Sequence, residues 1–245
     1  MLTIMDGLIK GAYQLGFSLT QRQVECFQIY FDELIDWNRR LNLTSIVDYE
    51  DVQIKHFLDS ITVSLAFSEM PARVLDVGSG AGLPGLALKI LYPDVEVILL
   101  DSVKKKASFV EHLIDVLGLE RVEIVAGRAE DLARDSRYRQ CFDAVVSRGV
   151  ARLATLAELT LPFCAVGGVV VAMKKKDVDD ELNEAEAAIG VLGGRLKSVM
   201  HLRLKELDDR ALVIIDKVTD TPERYPRRSG IPQKRPLLRN SKEFS

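Results

Sequence analysis

From Thr20 to Leu41 the apolar side chains Val24, Phe27, Phe31, Leu34 and Leu41 recur at helical spacing. Thr20 and Gln23 have the spacing of a capping box, so this segment predicts an amphipathic helix. "NLTS" (42–45) breaks the pattern, and Asp48 can cap a second helix carrying Val52, Leu58, Ile61 and Leu65 on one side. Two helices are therefore expected before the first strand.

After Pro71 the texture changes. Apolar runs "RVLDVG", "VEVILLD", "RVEIVAG", "FDAVVSRG" and "GGVVVAMK" alternate with helical stretches at 84–91, 103–117 and 152–164, the run "RVEIVAG" passing to the next through a short polar segment. That alternation predicts βαβ units and a parallel sheet buried on both faces. After a polar helix near 178–192, "RLKSVMHLRL" and "ALVIIDKV" lie six residues apart across "KELDDR", which fits an antiparallel hairpin closing the sheet. From Thr219 the Pro, Arg and Gly content reads as loop. The expected organisation is an N-terminal helical cap (1–70), a Rossmann-like α/β domain (71–218) and a basic C-terminal tail (219–245).

Composition narrows the class. With 47% hydrophobic and 28% charged residues, the 245-residue chain suits an ordinary globular protein rather than a disordered one. The longest uncharged run, Leu159 to Met173, is interrupted by Pro162 and Gly167-Gly168 and is shorter than the about 20 residues a bilayer span needs. Asp6 and Lys10 interrupt the N-terminus before a signal-like apolar stretch develops. Cys26, Cys141 and Cys164 form no CxxC pair, which suits a reducing cytoplasm and a buried role for each. The net charge of −3 hides an asymmetry: residues 1–70 carry ten acids against five bases, whereas 217–242 carry eight bases against two acids. A basic end on an acidic protein suggests either a polyanion contact or a solvated tail.

The chemistry starts at "VLDVGSGAGLPG" (74–85), where a strand runs into Gly78, Gly80 and Gly82 and Pro84 can open a helix. A dinucleotide fingerprint, G-x-G-x-x-G, would place its third glycine at 83, where Leu83 stands. The G-x-G-x-G form suits a ligand without a pyrophosphate, such as S-adenosylmethionine. Asp101 ends the next strand, where its carboxylate can accept hydrogen bonds from ribose hydroxyls. None of the six tyrosines has a lysine four places on, which argues against a short-chain dehydrogenase.

For a methyl transfer the enzyme mainly positions two partners and adds a base only where the nucleophile must lose a proton. The position after the fourth strand reads "SRGVA" instead of the Asn/Asp-Pro-Pro-aromatic turn used for exocyclic amines, and no cysteine has the setting of a pyrimidine nucleophile. A ring nitrogen such as guanine N7 needs no base. Arg148 can contact the cofactor, the target base or a phosphate, or form a salt bridge. His56, one turn from Asp59, reads as a helix-face contact tying the cap to the sheet. No His/Cys/Asp cluster has metal-ligand spacing, so no metal is expected. Lys104 to Lys106 and Lys174 to Lys176 follow carboxyl ends of strands, where they either form a basic rim for RNA phosphate or are simply solvated.

"NLTS", "HFLDS" (56–60), "LDVGSGAGLPG" (75–85), "LLDSVKKK" (99–106), "GRAED" (127–131), "SRGVA" (147–151) and "RYPRRSGIPQKRPL" (224–237) together resemble, in order, the motifs of the GidB/RsmG family. The resemblance implies a class I S-adenosylmethionine-dependent methyltransferase fold, a mostly parallel seven-stranded sheet with an antiparallel last strand. It also implies transfer to the N7 of one guanine in 16S ribosomal RNA, presented in a 30S subunit or assembly intermediate. It assigns Gly78, Leu83, Ala129, Glu130 and Arg148 to the cofactor; Asp101 and Gly80 join them from the loop argument. RNA contacts are expected from Lys104, Lys105, Lys174, Lys175, Arg227 and Arg228. Gly149 stands where the family usually has Ala, and Lys174 to Lys176 continue the charge where the fifth strand often ends Lys-Gly. A non-catalytic cofactor-binding RNA-assembly protein on the same fold and a nicotinamide oxidoreductase remain the competing readings.

Overall fold

The computed structural model describes residues 4–175, 177–204 and 207–238. Helix α1 (Asp6–Gln14) comes first, a short element the sequence pattern does not announce because two glycines dilute its apolar spacing. Gly11 has a purpose there: a Cβ on it would lie 2.3 Å from Leu58 Cδ2, so the glycine lets α1 press against the third helical segment. Helix α2 (Gln21–Leu41) begins at the expected capping box, with Thr20 Oγ1 accepting from Gln23 N and Gln23 Oε1 accepting from Thr20 N at 2.9 Å. Its buried face is Val24, Phe27, Tyr30 and Leu34. Phe31 turns aside to meet Tyr49 edge-on.

The expected second helix is one continuous helical path with a changing hydrogen-bond step. It runs through α3 (Tyr49–Val52), a π-helical turn (Gln53–Leu58), α4 (Asp59–Ile61) and a 3₁₀ turn (Thr62–Ala66). Asp48 caps it as expected, its Oδ1 accepting from Glu50 N and Asp51 N.

Seven strands follow: β1 (Arg73–Val77), β2 (Glu96–Asp101), β3 (Val122–Ala126), β4 (Phe142–Arg148), β5 (Cys164–Lys175), β6 (Gly194–Leu204) and β7 (Leu207–Lys217). They form one sheet in the order β3-β2-β1-β4-β5-β7-β6. Strands β1 to β5 pair in parallel and β7 lies antiparallel between β5 and β6, as the hairpin spacing predicts. Strand β6 ends at Leu204 as the apolar pattern suggested, whereas β7 starts earlier than expected, at Leu207. The crossover helices are α5 (Gly85–Leu91), α6 (Lys104–Leu117), α7 (Ala129–Leu132), α8 (Leu153–Thr160) and α9 (Asp179–Val191).

Alternation along each strand splits the core in two. Val74, Val97, Leu99, Ala144 and Val146 face the cap helices, α5 and α6; Leu75, Ile98, Leu100, Val145 and Val170 face α8 and α9. The cap thus shares one hydrophobic core with the sheet. His112 Nε2 and Glu33 Oε2, 2.7 Å apart, tie α6 to α2 at the rim of that core.

The C-terminal segment is folded onto the other face, contrary to a free basic tail. Tyr225 and Leu237 are buried, and each large apolar side chain so removed from water contributes about 1.5–3 kcal/mol. Arg139 Nη1 donates to Tyr225 O at 2.9 Å, and helix α10 (Ile231–Lys234) packs on α8. The tail residues Arg239 and Lys242, with Lys176, lie outside the described residues.

Candidate cofactor and RNA-facing site

The glycine loop leaves the carboxyl end of β1 with φ of +75° at Gly78, +61° at Gly80 and +97° at Gly82, a backbone path that L side chains resist. Two carboxylates brace it. Asp101, at the end of β2, accepts from Gly80 N through Oδ2 and from Val103 N through Oδ1, both at 2.8 Å. A carboxylate has about four lone-pair sites, so two remain for a ligand. Asp76 is fully buried, and its Oδ2 accepts from Gly85 N at 2.8 Å, fixing the start of α5. Its Oδ1 has no hydrogen-bond partner. Burial pushes the Asp76 carboxyl up to about 7 against the opposing pull of the Gly85 amide and Arg148.

Beside the loop lies a cleft of about 230 Å³ lined by Gly78, Asp101, Ala129, Glu130, Val150 and Gln233, among others. Four of the seven residues expected at the cofactor are therefore together on its walls. Gly80 braces the loop through Asp101 without lining the cleft, and the buried side chain of Leu83 belongs to the cap-side core. A Cβ on Gly78 would sit 2.3 Å from Val150 Cγ2, so any larger residue would close the cleft from beneath. The Glu130 carboxylate faces away from solvent, where its Oε1 accepts from Arg128 and from Gly230 N at 2.8 Å.

Arg148 does not reach into this cleft. From the end of β4 its Nη1 donates to Lys55 O and His56 O at 3.3 Å each and to Asp59 Oδ2 at 3.1 Å. The carbonyls come from the π-helical turn, where a changed hydrogen-bond step aims backbone groups outside the usual ladder. Asp59 Oδ1 takes a second cation, Arg210 Nε, at 3.1 Å. His56 in turn pairs through Nε2 with Thr44 Oγ1 at 2.8 Å. The motifs "NLTS", "HFLDS" and "SRGVA" thus converge on one network. Burial, with Arg148 adding repulsion, holds the His56 imidazole down at about 4, so it is neutral near pH 7.

This network borders a second cavity of about 500 Å³, lined by Arg148, Gly149, Ala151, Leu156, Met173 and Lys174 among others. The Gly149–Ala151 turn borders both this cavity and the first cleft, Val150 lining the cleft and its two neighbours the cavity. Lys174 braces that turn, its Nζ donating to Ala151 O at 2.7 Å and Glu181 Oε2 at 2.6 Å. Burial works to raise the Glu181 pKa, but its bonds from Lys174 and Leu153 N prevail and leave it lowered.

The profile described as GidB, rRNA small subunit methyltransferase G, matches residues 23–213. This chain belongs to the GidB family. The ribosomal RNA small subunit methyltransferase G of Dehalococcoides mccartyi (strain CBDB1) is 51% identical, covering 96% of this chain and 100% of its own length. Its counterpart in Roseiflexus castenholzii is 47% identical, again over 96% of this chain and all of the relative. Two solved structures share the fold alone. TrmN from Thermus thermophilus has a TM-score of 0.51 at 18% identity over 66% of this chain and 48% of its own. The ribosomal protein L11 methylase of Lactobacillus delbrueckii subsp. bulgaricus has 0.51 at 17%, over 67% and 80% respectively.

In this GidB-family chain the six residues expected to meet RNA divide into two groups. Lys104, Lys105, Lys175 and Arg228 are exposed. Lys174 and Arg227 are turned inward: 12% and 13% of their side chains are exposed. Arg227 grips the fully buried Glu158 through Nε and Nη2, with Nη2 2.7 Å from Oε2, because an unpaired carboxylate there would be costly. That removes Arg227 from the RNA-facing set and makes it a structural tie. Sequence reasoning missed Tyr30, Arg210 and Gln233. Arg210 fell in the expected hairpin turn, and Tyr30 sat beside the apolar stripe with nothing local to mark it.

Proposed function

We propose that the chain transfers the methyl group of S-adenosylmethionine to the N7 of a guanine in 16S ribosomal RNA. The observation that carries this reading is a pair of cavities that share the Gly149–Ala151 turn, one walled by Gly78, Asp101, Ala129 and Glu130 and the other by Arg148, Lys174, Lys175 and Arg210 among three carboxylates. When bound, the cofactor supplies a methyl group activated on a sulfonium. The cleft fits it: Gly78 leaves the space a Cβ would take, and Asp101 keeps lone pairs for ribose hydroxyls. The family resemblance gives Ala129 and Glu130, which line the same cleft, to the adenine end.

On the RNA side, Leu156 and Met173 line the cavity with apolar groups, while Arg148, Lys174, Lys175 and Arg210 stand among the carboxylates of Asp59, Asp177 and Glu181. Glu181, on the wall of that cavity, is a poor base, because its bonds from Lys174 and Leu153 N hold its pKa down. A carboxylate stabilised in this way has little drive to take a proton, which suits a ring nitrogen that already presents its lone pair. Catalysis then consists of positioning. The exposed Lys104, Lys105, Lys175 and Arg228 supply phosphate contacts, and the fold of a 30S particle supplies selectivity that so few side chains cannot.

The test is incubation with methyl-labelled cofactor and small subunits lacking the modification, followed by mapping of the label. Label at one guanine N7 of the 16S RNA is expected, and Gly78→Asp should abolish it. Label on protein, or on an exocyclic amine, would overturn the reading.

A further inference from the structure

The basic C-terminal segment, expected as a polyanion contact or a solvated tail, builds part of the cleft. Gly230 N donates to Glu130 Oε1 at 2.8 Å and Ser229 Oγ donates to Asp131 Oδ1 at 2.8 Å, so the segment is pinned to the residues that follow β3. Thr155 Oγ1 donates to Pro232 O at 3.2 Å from α8, whose Leu159 lines the same cleft. Immediately after the second attachment, one turn beyond Gly230, the exposed Gln233 borders the cleft that Gly78 and Asp101 also line.

We propose that Gln233 is a cofactor-binding residue whose carboxamide reads the adenine edge of S-adenosylmethionine. The inference rests on the cofactor reading of the cleft given above. If Asp101 takes the ribose, the wall of Ser102, Ala129, Glu130 and Gln233 is left for the base. Adenine presents a donor at N6 beside ring-nitrogen acceptors, and a carboxamide offers the complementary acceptor and donor in one plane. No other side chain on that wall offers both: Ala129 has no polar atom, Ser102 has a single hydroxyl, and the Glu130 carboxylate is acceptor-only and already bonded to Gly230 N. The C-terminal segment is therefore a cofactor element as well as the carrier of the exposed Arg228.

The experiment is calorimetric titration of wild type, Gln233→Ala and Gln233→Glu with S-adenosylmethionine and with methylthioadenosine, which keeps the adenosine half and lacks the amino acid. Gln233 is exposed, so neither variant should lower Tm. Loss of the contact should weaken both ligands by the same factor, about tenfold. Gln233→Glu should bind no better than Gln233→Ala, because a second acceptor faces the adenine ring nitrogen. In turnover, KM for the cofactor should rise while KM for the 30S particle and kcat hold. Wild-type binding with Gln233→Ala within twofold of it, or loss for S-adenosylmethionine but not for methylthioadenosine, would overturn the assignment while leaving the function standing. No binding of either ligand by wild type would overturn both.

Discussion

Tyr30 Oη donates to Ala81 O at 2.6 Å, joining the buried face of α2 to the middle of the glycine loop across 51 residues of sequence. The ring is fully buried against Phe57, so the hydroxyl has no freedom to look elsewhere. The cap therefore holds the cofactor loop directly. Tyr30→Phe keeps the packing and removes one hydrogen bond. It should cost about 1 kcal/mol, a fall of roughly 2–4 °C in Tm for a chain of this size. Cofactor Kd should rise several-fold because Ala81 is no longer fixed. A variant with lowered Tm and wild-type Kd would limit the contact to stability.

Arg227→Ala separates two roles with one measurement. Glu158 is completely buried and loses its bidentate partner in the variant. Breaking a buried pair in this way costs about 3–5 kcal/mol, so the denaturant midpoint should drop sharply. A surface phosphate contact would instead leave stability untouched and lower only RNA affinity. An unchanged midpoint with weakened 30S binding would return Arg227 to the RNA-facing set.

The strands, their order of appearance and the glycine loop were legible in the sequence because each is written by a local rule: alternation, apolar runs, glycine where φ is positive. The α2 capping box and the Asp48 cap are equally local. What was not legible is which distant groups meet. Asp59 finds Arg210 across 151 residues, and the tail finds Glu130 across 100. Charge alone could not distinguish Arg227, folded inward, from Arg228, left in water. Composition sets that a segment is basic; packing against a buried acid decides which cation remains available.

The half-buried His56 and the buried Asp76 should bend the pH dependence of stability in opposite directions. His56 lies at about 4 in the folded protein, below its ordinary 6.5. The unfolded chain binds that proton more tightly, so this contribution is fully present above about pH 6.5 and is lost as pH falls toward 4. Asp76 lies at about 7, above its ordinary 3.8. Its contribution is complete below about pH 3.8 and is lost as pH rises through 7. Unfolding free energies measured from pH 4 to 7 should therefore fall less toward acid in His56→Asn than in wild type. In Asp76→Asn they should fall less toward neutrality, the amide oxygen still accepting from Gly85 N. Parallel curves for all three proteins would show that neither group changes its proton affinity on folding.

The exposed cations give the last expectation a sign and a size. Lys104 and Lys105 open α6 beside Asp101, Lys175 ends β5, and Arg228 follows the Glu158 tie. Each phosphate neutralised releases condensed counterion, so each contact adds roughly 0.7–0.9 to the slope of log affinity against log salt. Replacing Lys104 and Lys105 together by Ala should reduce that slope for 30S or 16S RNA binding by about 1.5 and weaken binding most at low salt. Cofactor Kd should not move, because neither side chain lines the cleft. Lys174→Ala should behave differently: its ammonium braces Ala151 O and Glu181, so the salt slope should hold while kcat falls with the loosened turn. A double variant with a wild-type slope would take Lys104 and Lys105 out of the RNA interface, and a Lys174→Ala variant that lost slope rather than kcat would put Lys174 into it.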